Sequence, residues 1–258
     1  MTTFERLNKA LINNLQKAGI YEHSSHYILS GFLNSNSYII DLGANVGNFY
    51  TLMHNKYNCT CYAVEASPKL YADLPAIANV KPYHYAIGGH NGEVEFYLSN
   101  ESEANSVQPA IASAFGITGK ITVPMITLEK FLNDQKVQFP LDLLKIDIEG
   151  AEVDVINTLP DQMLNKIKQI PIEFHDFLGV DGEYFIAMHK AIAKLKANNF
   201  KIIRLSENDY RAILCINRML VPLTVNQKIR LSIIHPIIIN LKLTHSALSR
   251  FFKGDKTN

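Results

Sequence analysis

The sequence predicts an α/β protein built on an open, doubly wound sheet, and three observations predict it. Tyr38–Leu42 is a short apolar, partly β-branched run, as expected of a strand buried on both faces. It leads through Asp41 into a turn bracketed by Gly43 and Gly47, after which Asn48–Lys56 continues at helix-compatible spacing. Two further apolar runs, Cys59–Val64 and Leu141–Ile146, break into charge at their carboxyl ends, at Glu65 and at Asp147 and Glu149. Strands that end in turns and acids, with helices between them, suit a sheet whose ligand lies beyond the strand tips.

The first turn has the means to hold a nucleoside. Its glycines let the backbone come close to a ligand, and the following helix presents unpaired N–H groups. Glu65, about 20 positions past Gly43, is placed to accept both hydroxyl hydrogens of a ribose. The glycine spacing is G-x-x-x-G, not the G-x-G-x-x-G of dinucleotide binders, and no lysine-bearing phosphate loop occurs. A nucleoside without a pyrophosphate fits best, and S-adenosylmethionine is the common one.

DLGANVGNF from Asp41, AVEASP from Ala63, ITLEKFL from Ile126 and DLLKIDIEGAE from Asp142 together resemble the FkbM family of S-adenosylmethionine-dependent methyltransferases. The resemblance runs from about Tyr38 to His175, and KIDIEGAE is its most specific part. It implies a class I, Rossmann-like sheet of seven strands with the last one antiparallel. It also implies methyl transfer, usually to hydroxyls of sugars or other natural products. On this reading Asp41, Gly43, Ala44, Asn45, Gly47, Glu65, Ala66, Ser67, Ala86 and Asp147 surround the cofactor. Ser99–Lys120 and the chain after about Asn217 fall outside the resemblance.

Taken in order, Phe4, Leu7, Leu11, Leu15 and Ala18 recur at helical spacing up to Gly19, and a second short helix is expected over Ser25–Leu33. His23, His26 and Tyr27 are expected as surface and packing residues, with ligand contact as the alternative. Pro68 opens a helix, and Val80–Ile87 reads as the third strand, its end at Ala86–Gly88 flanking the adenine. His90–Leu98 alternates as an extra strand, with Ile121–Ile126 as its partner. The polar segment between them, Ser99–Lys120, is read as a substrate-side flap or a disordered insertion. Thr127 caps a helix over Leu128–Asn133. Ile170–Phe174 is the fifth strand, Gly182–Ala197 a helix, and Phe200–Leu205 with Arg211–Ile216, joined by SENDY, a closing hairpin. Residues 1–36 form an N-terminal helical cap, 37–217 the cofactor-binding domain and 218–258 an extension.

The chemistry is expected where the fourth and fifth strands end. Lys145, Asp147 and Glu149 alternate onto one face, so the lysine should lower both carboxyl pKa values, and an ion pair from Lys145 to Glu149 or Glu152 is the plainer alternative. His175 follows the fifth strand and is the leading candidate for general base, with Asp147 or Glu149 behind it. A magnesium ion held by Asp147 and Glu149 is a variant, since oxygen-rich sites suit it.

The tail is unusual. Leu231–Leu243 is strongly apolar but broken by His235, Pro236, Asn240 and Lys242, too short and interrupted to span a bilayer. Arg230, Lys242, Arg250 and Lys253 around apolar residues suit docking on the core, a homodimer contact, or a helix in a membrane interface. Net charge is only +1 over 258 residues, and no basic stripe favours nucleic acid as a partner. The three cysteines, Cys59, Cys61 and Cys215, lie in apolar runs and read as reduced core thiols. With no apolar signal core in MTTFERLNKA, the expected place is the cytoplasm, at the inner membrane face if the tail binds lipid. The acceptor is expected to be a hydroxylated small molecule or glycan. A non-catalytic cofactor-binding subunit and a nicotinamide-dependent oxidoreductase are the other function classes.

Overall fold

Helix α1 (Thr3–Lys17) begins at Thr2, whose hydroxyl accepts from Glu5 N while the Glu5 carboxylate accepts from Thr2 N. The second helix expected after it is instead a hairpin, β1 (Ile20–His23) and β2 (His26–Leu29). Ser24 and Ser25 both take positive φ there, which makes a tight turn and breaks helical spacing. In the computed structural model of the protein, residues 2–101, 104–175, 182–205 and 211–254 are described, apart from the side chains of 248–254.

The main sheet has seven strands: β3 (Tyr38–Leu42), β4 (Thr60–Glu65), β5 (Val80–His84), β9 (Leu143–Ile146), β10 (Gln169–Glu173), β11 (Phe200–Arg204) and β12 (Ala212–Asn217). Their order is β11-β12-β10-β9-β3-β4-β5, with β12 antiparallel to both neighbours and the other pairings parallel. This is the expected doubly wound Rossmann-like sheet with its antiparallel last strand. The sequence of connections reverses between β3 and β9, and a crevice opens there beyond the strand tips. The linker SENDY of the closing hairpin lies outside the described residues.

Alternation sends neighbouring residues to opposite faces. Ile40, Leu42, Leu144 and Ile146 pack on one face with Phe131 and Leu132 of α5 (Leu128–Asp134), Val155 and Ile156 of α6 (Glu152–Thr158), and Met188 and Ile192 of α8 (Gly182–Ala197). Ile39, Cys61, Ala63 and Leu143 pack on the other with Phe49, Tyr50 and Met53 of α2 (Asn48–Tyr57). Cys59, Cys61 and Cys215 are all free and buried.

The expected third strand, Val80–Ile87, is in fact two. β5 takes the sheet edge, where Pro82 removes no ladder bond that a central strand would need. After Tyr85 the chain turns, and β6 (Ala86–Gly88) pairs in parallel with β8 (Ile117–Thr127), which pairs antiparallel with β7 (Gly92–Ser99). Ala86, Phe96, Val123 and Met125 form a separate small core that draws β6 away. Ser99–Lys120 is partly built structure: α4 (Pro109–Ala114) buries Ile111 completely, and β8 begins at Ile117. Short helices α3 (Pro68–Ala72) and α7 (Asp161–Leu164) complete the connections.

The tail docks, as the plainest of the three expectations had it. α9 (Val225–Ile229), one π-helical turn (Arg230–Ile234) and α10 (His235–Gly254) run on as one rod. Leu231, Ile238 and Ile239 share a core with Leu11 and Leu15 of α1 and with Leu214 and Ile216 of β12. Two of the polar interruptions are contacts. His235 bonds the Arg204 carbonyl at 2.7 Å, and Lys242 lies 5.3 Å over the Phe4 ring. No helix among the described residues is long and apolar enough to cross a membrane.

Candidate active site

The β3–α2 turn exists because Gly43 lets two strand tips meet. It takes φ +77°, and a Cβ there would lie 1.8 Å from the Asp147 carbonyl oxygen at the tip of β9. Gly43 and Ala44 both donate to the Val64 carbonyl at 3.0 Å, which pins the turn to β4. Above these tips opens a cavity of about 400 Å³, in the range of a small-ligand site.

Gly43, Ala44, Asn45, Glu65, Ala66, Ala86, Asp147, Glu149 and His175 line it, so most of the expected residues do converge. Asp41, Gly47 and Ser67 stand behind the wall instead. Asp41 is fully buried under Lys145, Gly47 turns the chain against the Tyr50 hydroxyl, and Ser67 caps α3. The Glu65 carboxylate is fixed from both sides: Oε2 accepts from Asn45 N and Oε1 from Ser67 N, each at 2.8 Å. Each oxygen keeps a lone pair, and the carboxylate borders the cavity.

Lys145 organises the floor. Its ammonium donates to the Gly43 carbonyl at 2.6 Å and lies 3.2 Å from Asp41 and 3.5 Å from Asp147. Burial works against ionised Asp147, but Lys145, His26 and His175 outweigh it and hold the carboxyl well below its usual range. Glu149 departs from expectation. The chain takes φ +55° at Glu149, which turns its side chain away from Lys145 and toward His175 Nε2 at 3.2 Å, and burial raises its pKa.

His175, the leading candidate for general base, has carboxylates at both ring nitrogens. Its Nδ1 donates to Glu152 at 2.9 Å, and Nε2 faces Glu149 and, at 3.8 Å, Asp147. Burial favours the neutral ring, yet Glu152 and Glu149 together push its pKa up to about 11. At neutral pH it is an imidazolium with no lone pair to offer. Glu152, fully buried, also accepts from Ile148 N, Gly150 N and the Tyr184 hydroxyl. The IEGAE turn is therefore wound around one carboxylate. Neither expected Lys145–Glu149 nor Lys145–Glu152 pair forms; Lys145 pairs with Asp41 and Asp147.

A pH dependence of stability follows. His175 has a raised pKa in the fold, so its contribution is complete below about 6.5, the ordinary histidine range, and declines as pH climbs toward about 11. Urea unfolding of the wild type at pH 6, 8 and 10 should therefore show falling stability, and His175→Gln should flatten that fall. An unchanged slope in the variant would contradict the imidazolium.

His26, expected as a surface or packing residue with ligand contact as the alternative, lines the cavity. Its Nδ1 lies 2.8 Å from the Ser24 carbonyl, which only accepts, so Nδ1 carries the proton. Nε2 faces Asp147 Oδ2 at 3.4 Å, a pairing that forms when the ring is protonated, and the ring lines the cavity. No local signal marks it, because the β1–β2 hairpin reaches the cavity only through tertiary packing. Gln169 holds that hairpin by bonding both Leu29 N and Leu29 O.

Ligand-type atoms converge in two sets among the described residues, Asp147–Glu149–His175 and His26–Asp147–Glu173. They fit magnesium poorly. The ion prefers an octahedron of oxygens, whereas each set includes a ring nitrogen, and Lys145 and His175 already balance Asp147 and Glu149.

The flap segment is part of the wall. The Ser106 hydroxyl donates to the Glu149 carbonyl and accepts from Gln108 N, and Asn105 and Val107 border the cavity. Residues 102 and 103 of that segment lie outside the described residues.

Residues 41–211 match the family model described as the methyltransferase FkbM domain. Methyltransferase 1 of Beauveria bassiana (strain ARSEF 2860) is 27% identical over 165 residues, which cover 55% of this chain and 66% of that protein, just under two thirds. Methyltransferase sdnD of Sordaria araneosa is 24% identical over 212 residues, covering 68% of this chain and 82% of that one. Among solved structures, a Methanococcus jannaschii fibrillarin pre-rRNA processing protein is similar at 13% identity and a TM-score of 0.41, covering 81% of this chain and 75% of that chain. So distant a likeness adds nothing to the topology already described.

Proposed function

The chain belongs to the FkbM methyltransferase family, and from that premise we propose that it moves the methyl group of S-adenosylmethionine to a hydroxyl oxygen of a sugar, glycan or related natural product. The observation that carries the cofactor reading is Glu65. A carboxylate locked by two backbone N–H groups at the tip of β4, with lone pairs left at the cavity, is a receptor for a ribose diol. Asn45 adds a buried side-chain oxygen that has no partner among the described residues. The residues also fit the cofactor's charge, since Asp147 at the cavity floor stays ionised and would favour a cationic ligand.

When bound, the cofactor supplies an activated methyl, so the protein has to align an acceptor oxygen and remove its proton. Alignment supplies most of the acceleration, and a base adds about two to four orders of magnitude. Asp147 orients the acceptor hydroxyl as a hydrogen-bond acceptor. His26, its Nε2 3.4 Å from Asp147, takes the proton when its ring is neutral, and the Asp147 carboxylate steadies the imidazolium that forms. His175 stays charged, holding Glu149 and steadying Asp147, and no step is routed through a metal. The acid-rich floor matches a neutral, hydroxyl-bearing acceptor better than a phosphorylated one.

Calorimetric titration with S-adenosylhomocysteine tests this, with NAD as control. Micromolar binding of the first and none of the second is expected; NAD binding alone would overturn the cofactor reading. Methyl label from S-adenosylmethionine should then appear as an ether on a hydroxylated glycan acceptor. Label confined to amines or carboxyl esters would overturn the acceptor class.

A further inference from the structure

The docked tail buries one face and leaves another bare. Val225, Ile229, Ile233, Ile237 and Leu241 recur every four residues along the rod and are 74%, 45%, 55%, 54% and 52% exposed. That spacing stacks them into one ridge, away from the face on which Leu231, Ile238 and Ile239 are buried. A contiguous apolar ridge in water marks a surface that something covers.

Beside the first turns of the ridge runs a groove lined by Lys196, Lys201, Arg218 and Lys228, with exposed Met219 at its side. No acidic side chain lines it among the described residues. Lys201 spends its ammonium on the Ser232 hydroxyl at 3.0 Å, and burial, with Arg218 close by, lowers its pKa. Like charges gathered without a counterion favour an incoming anion. Lys228 and Ser232 each immediately precede a ridge residue, so groove and ridge form one continuous surface. From Arg218 to Gly254 the chain holds no Asp or Glu.

We propose that this surface docks on an anionic lipid bilayer, with the ridge entering the acyl boundary and phosphate-bearing headgroups filling the groove. Charge complementarity decides between the occupants. A second copy would bring the same four cations face to face with no acid to offset them, whereas an anionic leaflet supplies the missing charge.

Flotation of the full-length protein with phosphatidylcholine vesicles, with and without phosphatidylglycerol, tests the proposal independently of any methyl transfer. The protein should float with the anionic vesicles, stay behind with the neutral ones, and be released by salt. Lys201→Gln/Lys228→Gln should weaken partitioning about fivefold per lysine removed. Ile233→Asp/Ile237→Asp should abolish flotation, while both variants unfold at the wild-type temperature because the changed side chains lie outside the core. Equal binding to neutral vesicles, no flotation at all, or a dimer in sedimentation that Ile233→Asp/Ile237→Asp dissociates would each overturn it.

Discussion

Lys145→Met is expected to destabilise the fold by about 3–5 kcal/mol, the cost of removing one partner from a buried ion pair. Lys145 is 4% and Asp41 0% exposed at their side chains, so no water replaces the lost ammonium. The Gly43 carbonyl also loses its donor at 2.6 Å, and the turn that carries the cavity loosens. Asp41 already has a raised pKa because burial outweighs Lys145, and without the lysine it rises further. The sign follows: protonated Asp41 is tolerated, so the deficit should be smaller at pH 5 than at pH 8. Urea unfolding at both values checks this. Adding Asp41→Asn should recover much of the loss at pH 8, and a deficit that ignores both pH and the second change would mean that Lys145 stabilises by packing alone.

The second large effect is on ligand affinity. Glu65→Ala should weaken S-adenosylhomocysteine binding about 30- to 900-fold, because two hydrogen bonds to a charged acceptor are lost at about 1–2 kcal/mol each. The same change frees Asn45 N and Ser67 N, so some loss of stability accompanies it. Glu65→Gln separates the two effects. It keeps one oxygen for a backbone N–H but removes the charge, so it should unfold near the wild type while still binding about tenfold more weakly. Wild-type affinity in both variants would show that Glu65 only braces the β3–α2 turn.

Local chemistry made much of this legible. The strand, glycine turn and helix around Gly43 are written in an apolar run and a turn whose positive-φ positions fall on Gly43, Asn45 and Gly47. Thr127 capped its helix and β7 paired with β8, as side-chain bonding to backbone and period-two alternation require. Failures came where a distant contact overrode local pattern. Ser25–Leu33 reads as a helix because nothing in its spacing announces the Ser24–Ser25 turn that folds it into a hairpin. Val80–Ile87 reads as one strand, yet burial of Ala86 beside Phe96 and Met125 pulls its end into another sheet.

By itself the sequence determined the doubly wound sheet, the crevice at its strand tips and the acids gathered there, because periodicity, glycine placement and charge at strand ends act over short spans. The protonation states and the identity of the groups facing the cavity were decided only by tertiary structure. From sequence alone His175 has an ordinary imidazole pKa, but Glu152 comes to it from across the β9–α6 turn and Glu149 faces it through a left-handed backbone, and together they favour its protonated form. His26 arrives from a hairpin held by Gln169, 140 positions along the chain. A pKa depends on burial and on charges within a few ångströms, and these distances are set by packing between segments far apart in sequence.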